Sequence, residues 1–264
     1  MKRRPLVMGI LNITPDSFSG DGVMGQAALD AAARLADEGA DVIDLGAEST
    51  RPGAMPLTAD EELRRLMPVL EAVASVPWRQ RVRISVDTRH AQTARVAMAS
   101  GAEIVNDESG LGSPDMSDAL AAGGADVVVM HSLGLPANPR QTLPKEVDVV
   151  AEILRWKEAL AAQAAAHGIS PQRLIFDPGI GFGKTAAQSL ALMHAASELV
   201  ASGGRWLIGH SRKSYLGLFT DQPAASRDDL TLAFSAALAD AGVHMLRVHN
   251  VGRHIELFRR LEAH

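Results

Sequence analysis

Short apolar runs alternate with longer, alanine-rich amphipathic stretches along the 264-residue chain. Apolar runs bounded by turn residues are typical of buried strands, and the longer stretches carry the spacing of amphipathic helices. The predicted strands are 6–11, 41–45, 82–86, 103–105, 126–130, 173–176, 206–208 and 245–248. The predicted helices are 25–38, 58–75, 90–100, 115–123, 148–167, 186–202, 226–241 and 252–262.

Strict alternation of strand and helix predicts a parallel sheet, because each crossover helix returns the chain to the same edge. Eight repeats in about 250 residues are typical of a closed (β/α)8 TIM barrel in the α/β class. An open doubly wound sheet is the alternative, but its G-x-G-x-x-G fingerprint is missing after the first strand, where Gly9 is followed by Ile-Leu-Asn-Ile-Thr. No linker or change of composition divides the chain, so we predict one domain over residues 1–264.

The composition narrows the kinds of partner. Apolar residues make up 47% of the chain and charged residues 22%, as in a soluble globular enzyme. A formal charge of −5 argues against nucleic acid or an anionic membrane as the main partner, since both attract clustered positive charge. The absence of cysteine excludes disulfides, thiolate metal sites and a cysteine nucleophile. Since no apolar run suits a signal segment or a membrane span, the sequence predicts a cytoplasmic protein.

Polar side chains follow the carboxyl end of every predicted strand, which is where TIM-barrel enzymes hold their chemistry. These residues are Asn12, Glu48, Thr50, Asp87, Asn106, His131, Asp177, His210, Lys213, Ser214, Arg247 and His249. A single Asp or Asn there is usually a helix cap or a turn former, but Asp87, Asn106 and Asp177 would all face one mouth. The amino ends of the strands show no such ring, so we expect the chemistry at one end only.

Several of these positions also have structural interpretations. Asp44, within the second strand, suits a buried and paired carboxylate. His131 and His210 each suit a histidine that is bonded to a neighbouring carbonyl group. The turn at 211–214 could offer a helix N-terminus to a carboxylate or could simply be solvated.

Arg247 and His249 are two residues apart on the last strand, so both side chains point in the same direction. A guanidinium and an imidazole together suit a phosphate or a diphosphate. A surface salt bridge is the structural alternative for this pair.

The stretch DPGIGFGKT, residues 177–185, matches a phosphate-binding P-loop only in part. A P-loop reads G-x-x-x-x-G-K-[ST], which here would require glycine at position 178. That position is Pro178, which has no N–H group to offer a phosphate, and Asp177 beside it would repel one. The stretch is therefore either a flexible turn or a site in which Asp177 binds a ligand that lies against the glycine backbone.

Taken together, the mouth residues favour a flat heterocycle that is rich in hydrogen-bond donors. Asp177 can accept two parallel N–H groups, Asn106 offers a donor and an acceptor, and Lys213 can donate to a ring carbonyl. The glycines at 179, 181 and 183 would let the ring approach the backbone. A pterin has this pattern of donors and acceptors.

The sequence resembles the dihydropteroate synthase family, the folate-pathway transferases that sulfonamides inhibit. The matching blocks run in family order through nearly the whole chain: MGILNITPDSFSGDG (8–22), DVIDLGAESTRPGA (41–54), ISVDT (84–88), IVND (104–107), MH (130–131), LIFDPGIGFGK (174–184), GHSRKSYLG (209–217) and LRVHNV (246–251). The resemblance implies that p-aminobenzoate is joined to 6-hydroxymethyl-7,8-dihydropterin diphosphate, an alkyl transfer in which pyrophosphate leaves. It also implies Mg²⁺ as cofactor and a homodimer built through the last helices.

The resemblance further implies the roles of single residues. The implied pterin set is Asp87, Asn106, Asp177 and Lys213, and the implied diphosphate set is Asn12, Thr50, Arg247 and His249, with Asn12 on the Mg²⁺. The implied p-aminobenzoate set is Thr50, Pro52, Phe182, Lys213 and Ser214, with Arg51 in the same STRPG block, and the loops at about 13–22 and 50–56 would close over it. The implied catalytic residues are Asp87, Lys213 and Arg247. Asp87 would offset the positive charge that develops as the diphosphate leaves.

Three places depart from the family pattern. The residue after the RVH histidine is Asn250, where the family commonly has Asp. Glu108 stands where a small or apolar residue is usual, and the stretch 132–144 lacks the usual glutamine- and methionine-bearing pattern. None of the three is among the implied site residues.

Other classes of function remain as alternatives. A metal-dependent barrel hydrolase could place His131, His210 and His249 around Zn²⁺, but such enzymes usually need H-x-H at the end of the first strand, which reads Leu-Asn-Ile. A barrel that hands a methyl group from a pterin to a corrinoid protein would keep the pterin set and leave STRPG, SRKS and RVH unexplained. A barrel that only binds a pterin would show binding without turnover.

Overall fold

Eight parallel strands close into a barrel in the computed structural model, which describes residues 4–13, 21–48, 56–134, 138 and 140–263. The strands are β1 Leu6–Asn12, β2 Val42–Gly46, β3 Arg83–Asp87, β4 Ile104–Asp107, β5 Asp126–Met130, β6 Leu174–Asp177, β7 Arg205–Ile208 and β8 Met245–Val248. Each strand pairs with the next along the chain, and β8 pairs with β1. The predicted (β/α)8 TIM barrel is confirmed.

Helices surround this barrel. They are α1 Asp21–Asp37, α2 Ala59–Val73, α3 Ala91–Ala99, α4 Pro114–Ala122, α5 Val149–Ala166, α6 Ala186–His194, α7 Ala196–Ala201, α8 Asp228–Ala241 and α9 Val251–Glu262, with short 3₁₀ helices at Pro77–Gln80, Pro171–Arg173, Ser214–Leu218 and Ala224–Ser226. No helix in the described part of the chain is both long enough and apolar enough to cross a membrane.

Side-chain caps fix where several helices begin. Thr58, Ser113 and Asp148 accept N–H groups from the first turns of α2, α4 and α5. Thr185 and Gln188 form a reciprocal capping box at the start of α6. Each cap satisfies N–H groups that the helix itself leaves free, and the last one ties the end of the 177–185 stretch to its helix.

The single helix predicted over 186–202 is wrong, because the chain forms α6 and α7 there. Ala195 lies between the two helices with ψ at 11°, outside the helical range, although its N–H still bonds to Ala191. The break lets the short second helix bury Ala196 and Leu199. Packing therefore overrides the high helix propensity of this alanine-rich segment.

The barrel interior is built in layers, because successive side chains of a strand point to opposite faces. A fully buried apolar set fills the middle, and its members are Met8, Val42, Ile104, Val128, Ile175, Leu207 and Met245. Two residues further along β2, β4, β6 and β8 come Asp44, Asn106, Asp177 and Arg247. The period of two thus places a polar layer directly above the apolar one, at the carboxyl ends of the strands.

The amino ends of the strands also carry an ionic cluster, which the absence of a polar ring there in the sequence did not predict. Arg83, Asp126 and Arg205 begin β3, β5 and β7. Asp126 accepts from Arg83 at 2.8 Å and from Arg205 at 2.9 and 3.0 Å. Burial raises the pKa of Asp126, but the two arginines outweigh it and the net pKa is lowered. Charged residues that open strands resemble solvated turn residues in the sequence, so the pattern does not predict this cluster.

Candidate active site

Asn12, Asp87 and Asn106 lie in one row across the mouth of the barrel. The strand register pairs Asn12 with Gly46, Gly46 with Asp87, and Asp87 with Asn106. Because Gly46 has no side chain, Asn12 Oδ1 and Asp87 Oδ2 border one gap, 3.9 and 3.7 Å from where a Cβ of residue 46 would stand. The row therefore gathers polar side chains from three strands at the mouth.

Arg247 connects Asp87 of this row to Asp44 of the polar layer. Its guanidinium donates to Asp44 at 2.6 Å and to Asp87 at 2.7 Å. Asp44 is fully buried and also accepts an N–H from Asn106 at 3.1 Å, so it is paired as the sequence suggested. Burial alone would lower the pKa of Arg247, but Asp44 and Asp87 outweigh burial and raise the pKa, so the guanidinium stays charged.

Carboxyl groups crowd this end of the barrel. Burial and the carboxyl of Glu108 raise the pKa of Asp87 well above its usual range, while Arg247 opposes the rise. Burial also raises the pKa of Asp177, against the effect of Lys213. Such shifts are typical of functional sites, and here they mean that added positive charge in the mouth would be stabilised.

Asp177 and Lys213 form the opposite wall of the site. Asp177 Oδ1 accepts the Gly179 N–H at 2.8 Å, while Asp177 Oδ2 and Lys213 Nζ lie 3.6 and 3.8 Å from where a Cβ of Gly209 would stand. Lys213 Nζ also lies 4.7 Å from the centre of the Phe182 ring. Burial lowers the pKa of Lys213 to about 8, and Asp177 opposes that change. A carboxylate and an ammonium beside an aromatic ring can bind both the donors and the carbonyl of a flat heterocycle.

The glycines of the 177–185 stretch differ in what requires them. Gly179 and Gly183 have φ of 66° and 65°, and an added Cβ would stand 2.0 Å from the carbonyl oxygen of His131 and 2.5 Å from a leucine after β5, respectively. Gly181 has φ of 82°, but the nearest atom to an added Cβ is Lys213 Cδ at 3.8 Å. Packing of the chain on itself therefore explains Gly179 and Gly183, whereas no such packing requires the glycine at position 181.

Lys184 and His131 form a buried pair that the sequence did not reveal. Lys184 Nζ lies 2.9 Å from His131 Nδ1 and donates to the carbonyl oxygens of His131 and Phe182 at 3.3 and 2.9 Å. Burial lowers the pKa of Lys184 to about 7 and that of His131 to about 4. The pair fastens the 177–185 stretch to the end of β5, so His131 is held by a lysine where a carbonyl partner was expected.

The histidines at the strand ends point to separate places. His210 Nε2 bonds the Thr231 carbonyl oxygen at 3.2 Å and the Ser235 hydroxyl at 2.9 Å, which matches its structural interpretation. His249 Nδ1 lies 2.9 Å from Ser211 Oγ. Within the ranges that the structure describes, no group of three or more histidines and carboxylates could hold a metal ion, so the zinc-hydrolase alternative finds no site there.

The remaining predicted residues fall partly inside the described chain. Ser214 is exposed at the start of Ser214–Leu218, next to Lys213. Arg212 in the same turn pairs with Asp228 at 2.7 and 2.9 Å. Outside the described residues lie Thr50, Arg51, Pro52 and most of the loops at 13–22 and 50–56.

Comparison with known proteins gives the class to which this fold and site belong. Residues 8–249 match the family described as pterin binding enzyme. The chain belongs to this family of pterin-binding enzymes.

Within that family the chain is similar to dihydropteroate synthases. It is 40% identical to the dihydropteroate synthase of Escherichia coli strain K12 over 262 residues, which cover 98% of this chain and 91% of that protein. The crystal structure of the Anaplasma phagocytophilum dihydropteroate synthase with bound 6-hydroxymethylpterin-monophosphate is 35% identical, with a TM-score of 0.90 and 99% of both chains covered. The Xanthomonas albilineans enzyme with 4-aminobenzoic acid is 39% identical, with a TM-score of 0.89 and coverage of 98% and 93%.

Some relatives are much longer than this chain. The probable bifunctional folylpolyglutamate synthase/dihydropteroate synthases of Haloferax volcanii and Halobacterium salinarum are 41% and 43% identical. The chain spans 29% and 31% of their lengths. The similarity therefore covers one part of each of these bifunctional proteins.

Proposed function

We propose that this chain condenses p-aminobenzoate with 6-hydroxymethyl-7,8-dihydropterin diphosphate and releases pyrophosphate. The observation that carries the proposal is that one mouth holds both a set of groups suited to a pterin and a set suited to a diphosphate. The pterin set is Asp87, Asn106, Asp177 and Lys213, and the described part of the diphosphate set is Asn12, Arg247 and His249. Similarity to dihydropteroate synthases over nearly the whole chain supports the same reaction.

The heterocycle would bind with its amino-pyrimidinone edge at Asp177. That carboxylate can accept two parallel N–H groups, Asn106 can pair with ring nitrogens, and Lys213 can donate to the ring carbonyl. The gap beside Gly181 and the ring of Phe182 would give the flat ligand room and a surface to lie against. We propose that p-aminobenzoate lies against Phe182 and Ser214, with the STRPG block completing its pocket.

The reacting bond joins the exocyclic CH₂ of the pterin to the ester oxygen of the diphosphate. As this C–O bond breaks, its electron pair leaves with the oxygen, and positive charge grows on the CH₂ and the ring. Arg247 stays charged and is oriented by Asp44 and Asp87, so its guanidinium can neutralise the leaving group. Asp87 can offset the positive charge on the carbon. The amine nitrogen of p-aminobenzoate then forms the new C–N bond and loses one proton to solvent.

The side chains present fit the implied Mg²⁺. Asn12 Oδ1 faces the gap at Gly46 together with Asp87 Oδ2, and hard oxygen donors are the ligands that Mg²⁺ prefers. Asn12 would hold the ion together with oxygens of the substrate. When bound, the ion would neutralise part of the charge of the diphosphate. If so, Asn12→Ala raises the Mg²⁺ concentration needed for half-maximal rate, and an unchanged requirement would remove Asn12 from the metal site.

The test is pyrophosphate release by purified protein given both substrates and Mg²⁺, with each component omitted in turn. Release that needs all three, with dihydropteroate identified by mass, is the expected result. Tight pterin binding without release would favour the binding module or the corrinoid methyl carrier. Activity that is lost to a chelator and restored by Zn²⁺ alone would favour the hydrolase.

Three further properties belong to the same proposal. A sulfonamide should compete with p-aminobenzoate and not with the pterin, because it mimics the shape of the former. We place the protein in the cytoplasm and propose a homodimer through the last helices, among them α8, which borders a groove with α6 and α7. A groove of about 390 Å³ between these helices is lined by Met193, His194, Ala196, Ser197, Ala233, Phe234, Ala237 and Ala241, and a monomeric mass in sedimentation at micromolar concentration would contradict the dimer.

A further inference from the structure

Glu108 is a buried carboxyl at the mouth that the proposed mechanism does not use. Only 6% of the surface of Glu108 is exposed to solvent. Its Oε2 is shielded from solvent and has no hydrogen-bond partner among the residues that the structure describes. Because a buried oxygen without a donor is costly, such an atom calls for a ligand or another explanation.

The geometry of the end of β4 directs Glu108 into the site. The carboxylate of Asp107 is bound within the turn that follows β4, where it accepts the N–H groups of Ser109 at 2.9 Å and Leu111 at 2.7 Å. Glu108 is two residues after Asn106, whose side chain already lies in the polar layer of the barrel. Glu108 follows directly after β4, and Arg247, Lys213, Asp44 and Asp177 all act on its pKa, so its side chain lies beside that layer.

The charges that face Glu108 come from five other strand ends. They are Asp44 on β2, Asp87 on β3, Asp177 on β6, Lys213 after β7 and Arg247 on β8. Arg247 is already bonded to Asp44 and Asp87, and Lys213 is opposite Asp177. The cluster thus holds four carboxyls and two cations, so Glu108 has no cation of its own.

The chemistry of the proposed substrate supplies a donor that would match this oxygen. An oxidised pterin offers N–H groups at ring position 3 and at the exocyclic amine, and one carboxylate such as Asp177 can accept both. A 7,8-dihydropterin has an additional N–H at position 8, where the oxidised ring has only a lone pair. We propose that Glu108 accepts a hydrogen bond from this additional N–H and so makes the site select reduced over oxidised pterins, an inference that rests on the proposed function.

The ionisation of Glu108 gives this selection a pH dependence. Burial raises the pKa of Glu108 to about 7, against the opposing effects of Arg247 and Lys213. The ionised carboxylate accepts from the dihydropterin and repels the lone pair of the oxidised ring. The protonated carboxyl can donate to that lone pair, so the preference for the reduced ring should grow as the pH rises through about 7.

The experiment measures dissociation constants of 6-hydroxymethyl-7,8-dihydropterin and 6-hydroxymethylpterin at pH 8.5, without oxygen. The proteins are the unaltered chain, Glu108→Gln, Glu108→Leu and the control Glu71→Gln on the exposed face of α2. The unaltered chain and the control should prefer the reduced ring by about 10- to 100-fold, the range for a charge-assisted hydrogen bond. Glu108→Leu should reduce that preference to about onefold, and Glu108→Gln should lie between.

Two results would overturn the role of Glu108. One is a preference in Glu108→Leu equal to that of the unaltered chain, and the other is a preference in the unaltered chain that stays constant from pH 6 to 8.5. The pH series needs no variant, so it decides the question even where Glu108→Leu fails to fold. Normal pyrophosphate release, together with an unchanged preference for the reduced ring in Glu108→Leu, would contradict this inference alone. If the protein bound neither pterin and released no pyrophosphate, the proposed function would be contradicted as well.

Discussion

The two ends of the barrel carry ionic clusters of opposite character. At the amino end, Asp126 lies between Arg83 and Arg205, and its pKa is lowered. At the carboxyl end, Arg247 lies between Asp44 and Asp87, and the pKa of Asp87 is raised well above its usual range. Each cluster places one charge between two of the other sign, so the difference comes from burial and from the further carboxyls at the mouth.

The two clusters differ in whether their charged groups are all hydrogen-bonded within the protein. Both oxygens of Asp126 are bonded to arginines, and nothing further is needed there. At the mouth, Asp44 Oδ1 and Glu108 Oε2 are buried without a partner in the part of the chain that the structure describes. A self-satisfied cluster stabilises the fold, whereas an unsatisfied one at the carboxyl end is suited to bind a ligand.

The largest expected effect is on turnover, from Asp87→Asn. The substitution should lower the rate of pyrophosphate release by about 100- to 1,000-fold, because it removes charge that offsets the developing cation. Its melting temperature should stay equal or rise, since it relieves the crowding of carboxyls. A near-normal rate, measured under saturating substrates, would remove Asp87 from the mechanism.

The next effect is on binding, from Asp177→Asn. An amide cannot accept the two parallel N–H groups that a carboxylate accepts, so the dissociation constant for the dihydropterin should rise by about 10- to 100-fold. Calorimetry measures this directly. The control is Asp118→Asn, at an exposed side chain on α4, which should bind normally. Equal affinity in both variants would mean that the pterin edge lies elsewhere.

Glu108→Gln should make the protein more stable in mild alkali. A carboxyl whose pKa is raised to about 7 in the folded state contributes stability below its ordinary pKa of 4.5 and loses it as the pH rises through 7. At pH 8 the variant should therefore gain about 3 kcal/mol in the free energy of unfolding, and near pH 4.5 it should gain little. Urea titrations at the two pH values measure this, and an equal or lower stability at pH 8 would contradict the burial of an ionised Glu108.

The smallest effect is expected at the amino end, from Asp126→Asn. The lowered pKa of Asp126 means that its ion pairs stabilise the fold above the ordinary value of 3.8 and that this contribution is lost as the pH falls. At pH 7 the variant should lose about 1–2 kcal/mol in the free energy of unfolding. The loss is small because the cluster is partly exposed to solvent. Urea unfolding checks the size, and no loss at pH 7 would mean that the cluster is not a stabilising one.

Much of this arrangement follows from local sequence rules. The alternation of strand and helix predicted the barrel, and polar residues after apolar runs predicted that Asp87, Asn106 and Asp177 meet at one mouth. Both rules depend only on strand geometry and on the parallel order of the strands. That is why they work without knowledge of side-chain contacts.

The parts that sequence did not reveal depend on contacts between distant segments. The period of two also places Arg83, Asp126 and Arg205 inside the barrel, but charges that begin strands resemble solvated turns. The contact of Gly179 with the carbonyl of His131 exists only after β5 and β6 pair. The break at Ala195 runs against local propensity, so only packing explains it.

The most direct test is a crossed measurement on Asp87→Asn and Asp126→Asn, recording dihydropteroate formation and melting temperature for both. Assays at a temperature well below both melting points separate chemistry from stability. We predict that Asp87→Asn loses product formation without a fall in melting temperature, while Asp126→Asn melts earlier and forms product at the normal rate. Loss of product formation in Asp126→Asn, with full activity in Asp87→Asn, would contradict the assignment of chemistry to the carboxyl end.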